Sequence, residues 1–150
     1  MKRPFVIAFL GGGVGQVLGG LVTAELWGWS SHVFTLMFPD CMVRGSYKEE
    51  LYYLGSFWVS LPDSVIALCL GFSIGLFLPG RAVLLAATAC IGWLTSYLIT
   101  GVIRGVWWLT SPPHVLVFTA SLVLSLGLVF VGAFGGVKIE KQWRTRRWTE

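Results

Sequence analysis

Two apolar segments joined by a short turn constrain this chain more than anything else in it. Residues 61–78 carry one charge, Asp63, near their start, and residues 82–103 carry none. They meet at Leu78-Pro79-Gly80-Arg81. With about 1.5 Å of rise per helical residue, each is long enough to cross roughly 30 Å of hydrocarbon. So short a link forces the pair to run antiparallel, so the sequence predicts a transmembrane hairpin. The rest of the topology follows from it.

Composition agrees. Of the 150 residues, 55% are hydrophobic and 12% charged, and the mean hydropathy is +0.76. Soluble domains carry about 25% charged residues. Once the apolar segments are counted, almost no chain remains for a globular domain. The expectation is an all-α integral membrane protein, a single bundle of four transmembrane helices over residues 5–26, 61–78, 82–104 and 113–137, with a basic tail at 138–150.

The first apolar run, residues 5–24, follows Met1-Lys2-Arg3-Pro4 and has the outline of a secretory signal, with Val22-Thr23-Ala24 as a small-residue cleavage site. Its length of about 20 residues and its glycine-rich centre speak for a retained membrane helix instead. Gly11, Gly15 and Gly19 recur every four residues and share one face; Gly12, Gln16 and Gly20 form the adjacent stripe. Helices in lipid associate by close backbone approach, which glycine permits best. Gln16, near mid-membrane, needs a partner across such a contact. The same spacing returns in Gly71 and Gly75 and in Gly132 and Gly136, and the third span carries Thr88, Gly92, Ser96 and Thr100 on one stripe.

Between the first two spans, aromatic residues alternate with polar ones, as expected of chain at the headgroup level. Phe38-Pro39-Asp40 marks a turn, and Ser46 with Glu49 is a capping-box pattern. That pattern predicts an interfacial helix over 47–58 in the first outer loop.

Basic residues orient the bundle. With both termini inside, the inner segments hold Lys2, Arg3, Arg81, Lys138, Lys141, Arg144, Arg146 and Arg147, and the outer ones hold Arg44, Lys48 and Arg104. This is a positive-inside distribution for a multi-pass protein of a bacterial cytoplasmic membrane with both ends cytoplasmic. The net charge of +4 therefore belongs to the membrane face and not to nucleic-acid binding. Lys138, Lys141, Arg144, Arg146 and Arg147 are expected to contact anionic headgroups, at about 1 kcal/mol per basic residue.

Few groups offer chemistry. Counted along the spans, Glu25 and Arg104 fall roughly 15 Å from the midplane and Asp63 roughly 9–10 Å from it, all in the outer leaflet. An intramembrane carboxylate is a functional candidate by default, so Asp63, with Glu25 and Arg104, is the candidate proton or ion site. Ser96, Thr95 and Tyr97 come opposite Asp63 in the hairpin. Cys69 and Cys90 lie at matching depth, where buried thiols act as small apolar groups. Cys41, Cys69, Cys90, His32 and His114 show no redox or metal-ligand spacing, so no metal or other cofactor is expected. No nucleophile is paired with a base, so the reading is non-catalytic.

The leading expectation is an accessory or scaffold subunit that packs against membrane-protein partners, or against copies of itself, through glycine-rich faces. The alternative is a small oligomeric transporter or channel using Asp63, Glu25 and Arg104. Topology is tested with single cysteines, Ser46→Cys and Thr149→Cys, in a background lacking the native three. An impermeant thiol reagent applied outside should label the first only; labelling of both would overturn the arrangement.

Overall fold

The computed structural model describes residues 3–37, 42–43, 46–47, 58, 61–104 and 112–147. Within them the chain forms helix α1 (Arg3–Met37), strands β1 (Met42–Val43) and β2 (Ser46–Tyr47), and helix α2 (Leu61–Phe77). A 3-10 turn (Pro79–Arg81), helix α3 (Ala82–Arg104) and helix α4 (Pro112–Arg147) follow. Apolar segments long enough to cross a membrane lie at Arg3–Leu26, Pro79–Ile103 and Thr119–Thr145, one each in α1, α3 and α4. The fourth helix, α2, is apolar but shorter at 17 residues, or about 26 Å.

Helix ends differ from the expected boundaries. α1 continues to Met37 and α4 to Arg147, so both outrun the hydrocarbon by several turns at about 1.5 Å per residue. The basic segment after residue 137 is therefore helical as far as Arg147. Ser46 and Tyr47 pair antiparallel with Val43 and Met42. The capping-box serine and Tyr47 thus sit in a strand, and Trp58, at the far end of the expected interfacial helix, is helical. Residues 48–57, the rest of the expected interfacial helix, and the turn at Phe38-Pro39-Asp40 lie outside the described residues.

The tightest helix pairs are not neighbours in sequence. α2 packs chiefly on α4 and α1 chiefly on α3, while α1 against α2 and α3 against α4 close the bundle. The two arms of the hairpin, α2 and α3, touch little. Glycine explains the pairing. A Cβ on Gly71 would overlap the carbonyl of Val129, and one on Gly75 the carbonyl of Ala133. From the other side, Gly132 abuts the Leu68 carbonyl and Gly136 the Phe72 carbonyl. The two helices thus run parallel with backbone against backbone over two turns. In α1 and α3, Gly12 abuts the Ala89 carbonyl and Gly92 the Phe9 carbonyl.

The core is built of small side chains, since close backbones leave no room for large ones. Among the described residues, six of the ten buried apolar ones are alanines (Ala8, Ala67, Ala82, Ala86, Ala89 and Ala133), with Leu85, Val129, Ile74 and Trp93 between them. Large apolar side chains such as Ile7, Phe77, Leu84, Val102 and Phe134 point outward. Lipid solvates such a surface, so packing and not apolar burial must hold the helices together.

Gly71→Ala and Gly127→Ala add the same methyl to two places of opposite character, because Gly127 has nothing within 4 Å. The first should destabilise the detergent-solubilised protein by about 1–3 kcal/mol through overpacking. The second should be neutral or slightly stabilising, since alanine favours helix by up to about 1 kcal/mol. Thermal melts of the two variants check this; equal melting points would mean that α2 and α4 are not in backbone contact.

Candidate functional site

Several polar side chains, Gln16, Ser96, Asp63 and Thr23, lie on facing sides of α1, α2 and α3, in the half away from the basic end; Ser125 is buried on α4. On α1, Gln16, Gly19 and Thr23 follow at helical spacing and share one face. Gln16 is 7% exposed and accepts a hydrogen bond through Oε1 from the Ser96 hydroxyl of α3 at 3.0 Å. One to two turns further along α1, Asp63 leans from the first turn of α2 onto Gly19, where a Cβ would collide with its Oδ1. The Thr23 hydroxyl donates to that same oxygen over a long 3.5 Å. Tyr97 of α3, half-buried, follows Ser96 directly.

Local sequence sets each of these positions. Pro62 and Asp63 belong to the first helical turn of α2, where a missing N–H and an acid are both favourable. Glycine at position 19 makes the notch that admits the carboxylate. Ser96, next to Tyr97 in α3, turns to Gln16. The buried Ser64 hydroxyl, beside Asp63 in α2, has no hydrogen-bond partner among the described residues. Three other hydroxyls, all of α3, are satisfied at home: Thr95 donates to the Ile91 carbonyl, Thr100 to that of Ser96 and Thr88 to that of Leu84, each at 2.8 Å. Such bonds to the preceding turn hide the hydroxyl from any partner.

Toward the basic end the polar cluster stops. Trp93, 2% exposed, lies over Gly15, its ring 3.1 Å from where a Cβ would stand. Below it Gly12 and Ala89 are in backbone contact. The junction is thus polar in one half and closed by an indole and two backbones in the other.

The expected site residues are only partly brought together. Asp63 is in the cluster; Glu25 is exposed on α1; Arg104 ends α3, with its side chain outside the described residues. Ser96 bonds Gln16, not Asp63. Gly11 has only Leu70 beside it, at 3.6 Å, while Gly15 and Gly19 face Trp93 and Asp63. Cys69 is exposed, and Cys90 turns its thiol to the Leu126 carbonyl of α4 at 3.7 Å. His32 is exposed on α1. Lys138 and Lys141 are also exposed, and Arg144 pairs with Glu140 one turn before it. The side chains of His114, Arg146 and Arg147 lie outside the described residues.

No protein-family model, curated protein or solved structure matches this chain. Function must therefore be argued from the cluster itself. Thr23, Trp93 and the notch at Gly19 were the parts hardest to foresee. An uncharged tryptophan in mid-span one turn from Ser96 was the one available signal.

A double-mutant cycle on Gln16→Leu and Ser96→Ala tests the inner layer. Interhelical bonds in membranes couple by about 0.6 kcal/mol on average and at most about 1.7, and the pair should fall in that range. Strict additivity in thermal or denaturant unfolding would mean that the two side chains do not meet.

Proposed function

We propose that this chain is a small multi-pass membrane protein that takes up a proton or a small cation at Asp63. The carrying observation is a carboxylate inside an apolar bundle, held in a glycine notch by one long hydrogen bond. A carboxylate so placed is costly to keep charged without a proton, a cation or water beside it. Thr23 supplies a hydroxyl oxygen beside it, as a bound cation or a shared proton requires. Gln16 and Ser96 extend the polar lining one layer deeper. In this proposal α2 is the fourth span, both ends are cytoplasmic, and the Asp63 half of the bundle faces outward in a bacterial cytoplasmic membrane.

Because Trp93 and the Gly12–Ala89 contact close the other half, one copy in this conformation binds at the outer half and does not conduct through. Release to the other side requires α1 and α3 to separate, or a second subunit. That keeps the accessory-subunit reading as the second proposal. The glycines at positions 12, 71, 75, 92, 132 and 136 already pack against the chain's own helices. Open glycines remain at Gly20 and Gly127, where among the described residues no other side chain or helix lies within 4 Å of an added Cβ, which leaves room for a close approach by another helix.

Asp63→Asn keeps the shape and removes the titratable charge. Purified wild type and variant, reconstituted in vesicles, are compared for proton and monovalent-cation flux under an imposed gradient. Wild-type flux that collapses in a folded Asp63→Asn protein supports uptake at Asp63. Equal flux would remove Asp63 from the mechanism, and no flux from either would leave the accessory-subunit proposal in its place.

A further inference from the structure

At the opposite end of the bundle, a groove has no role in the Asp63 site. It is a half-open cavity of about 220 Å³ between the 3-10 turn, the start of α3 and the face of α4. Pro79, Gly80 and Arg81 form its mouth, and Val83, Phe130 and Phe134 are among the side chains along its length. The lining is thus apolar within and cationic at one end. We propose that this groove is a binding site for an anionic phospholipid, with the phosphate at Arg81 and the upper part of one acyl chain along Val83, Phe130 and Phe134.

Three features of the groove support that occupant over any other. The first is charge. Arg81 is exposed and, among the described residues, has no acidic partner, in contrast to Arg144 with Glu140. Lys138 follows Val137, itself a lining residue, so a second exposed cation stands nearby.

The second is the helix end. The turn opens α3 with Leu78 at the cap position, no side-chain cap and no acid in the first turn. The positive end of the helix dipole is therefore not offset by any side chain at the place where a phosphate would lie. Sequence dictates this: a proline-glycine-arginine turn brings a fixed φ, no bulk and a cation, but no capping oxygen.

The third is size and position. Pockets for whole small molecules are about 300–1,000 Å³, so this groove is too small to enclose one, yet it suits part of a chain that continues into the bilayer. Its exposed apolar wall belongs to residues that face lipid in any case. A soluble anion would use the mouth and leave the wall empty, and an apolar molecule would leave Arg81 unused. A phospholipid uses both.

Native mass spectrometry and thermal melts of the full chain in detergent test the assignment. The added probes are phosphatidylglycerol, phosphatidylcholine with the same acyl chains, and soluble glycerol phosphate. Phosphatidylglycerol should remain bound and raise the melting temperature, and the other two should not. Arg81→Gln should weaken retention about tenfold or more, as expected for a lost charge-assisted hydrogen bond. Arg3→Gln, at an exposed cation of α1 that does not line the groove, removes the same charge and should weaken it at most about fivefold. Equal losses in the two variants would mean diffuse surface attraction and overturn the site. So would equal stabilisation by phosphatidylcholine, or an effect of glycerol phosphate as large as that of the lipid.

Discussion

Contact between bare backbones holds this bundle together. In water, burial of large apolar side chains would do that, but lipid solvates Ile7, Leu84 or Phe134 as well as a protein interior does. What remains is van der Waals contact over a close approach and weak bonds from Cα–H groups to carbonyls. Both need glycine. Gly71, Gly75, Gly132 and Gly136 bring α2 and α4 together, and Gly12 and Gly92 do the same for α1 and α3. The alanine-rich core follows from that approach.

Strong pairing within α1/α3 and within α2/α4 leaves the junctions between pairs looser, and polar groups gather at one of them. Asp63 sits where α1 meets α2, not in a backbone seam, because a seam has no space for a carboxylate; Gln16 instead bonds Ser96 across the α1–α3 pair. Gly19 belongs to both descriptions: it is one of the glycine stripe, yet the atom it accommodates is Asp63 Oδ1 and not a carbonyl. A residue type that serves packing elsewhere here makes room for a charge. In the proposed function, binding at Asp63 would be linked to separation of α1 from α3, since both involve the same face of α1.

The two ends of the bundle have contrasting electrostatics. The Asp63 half contains a carboxylate with hydroxyls around it. The other end combines Arg81, the uncapped start of α3 and the exposed lysines of α4. The proposed ligands, a proton or cation at the first end and a phosphate at the second, match that contrast.

The apolar runs, their helical state and the hairpin at Pro79-Gly80-Arg81 were legible in the sequence, because an uncharged run of that length has few other ways to satisfy its backbone. So were the glycine repeats and the need of Gln16 for a partner. Which faces meet was not. A stripe at four-residue spacing says that something comes close, but α2 could as well have taken its hairpin neighbour α3 as α4. The complementarity of two glycine pairs at one depth decided it. Asp63 shows the same division. Its depth follows from counting, whereas its surroundings depend on the rotation of α1, which presents Thr23 and Gly19 and leaves Glu25 outside. Ser46 pairs with Val43 in a strand, a contact that its local capping-box pattern does not announce. Length and polarity are additive along a chain and can be read from it; the choice of partner depends on the relative packing of all the helices and exists only in the folded bundle.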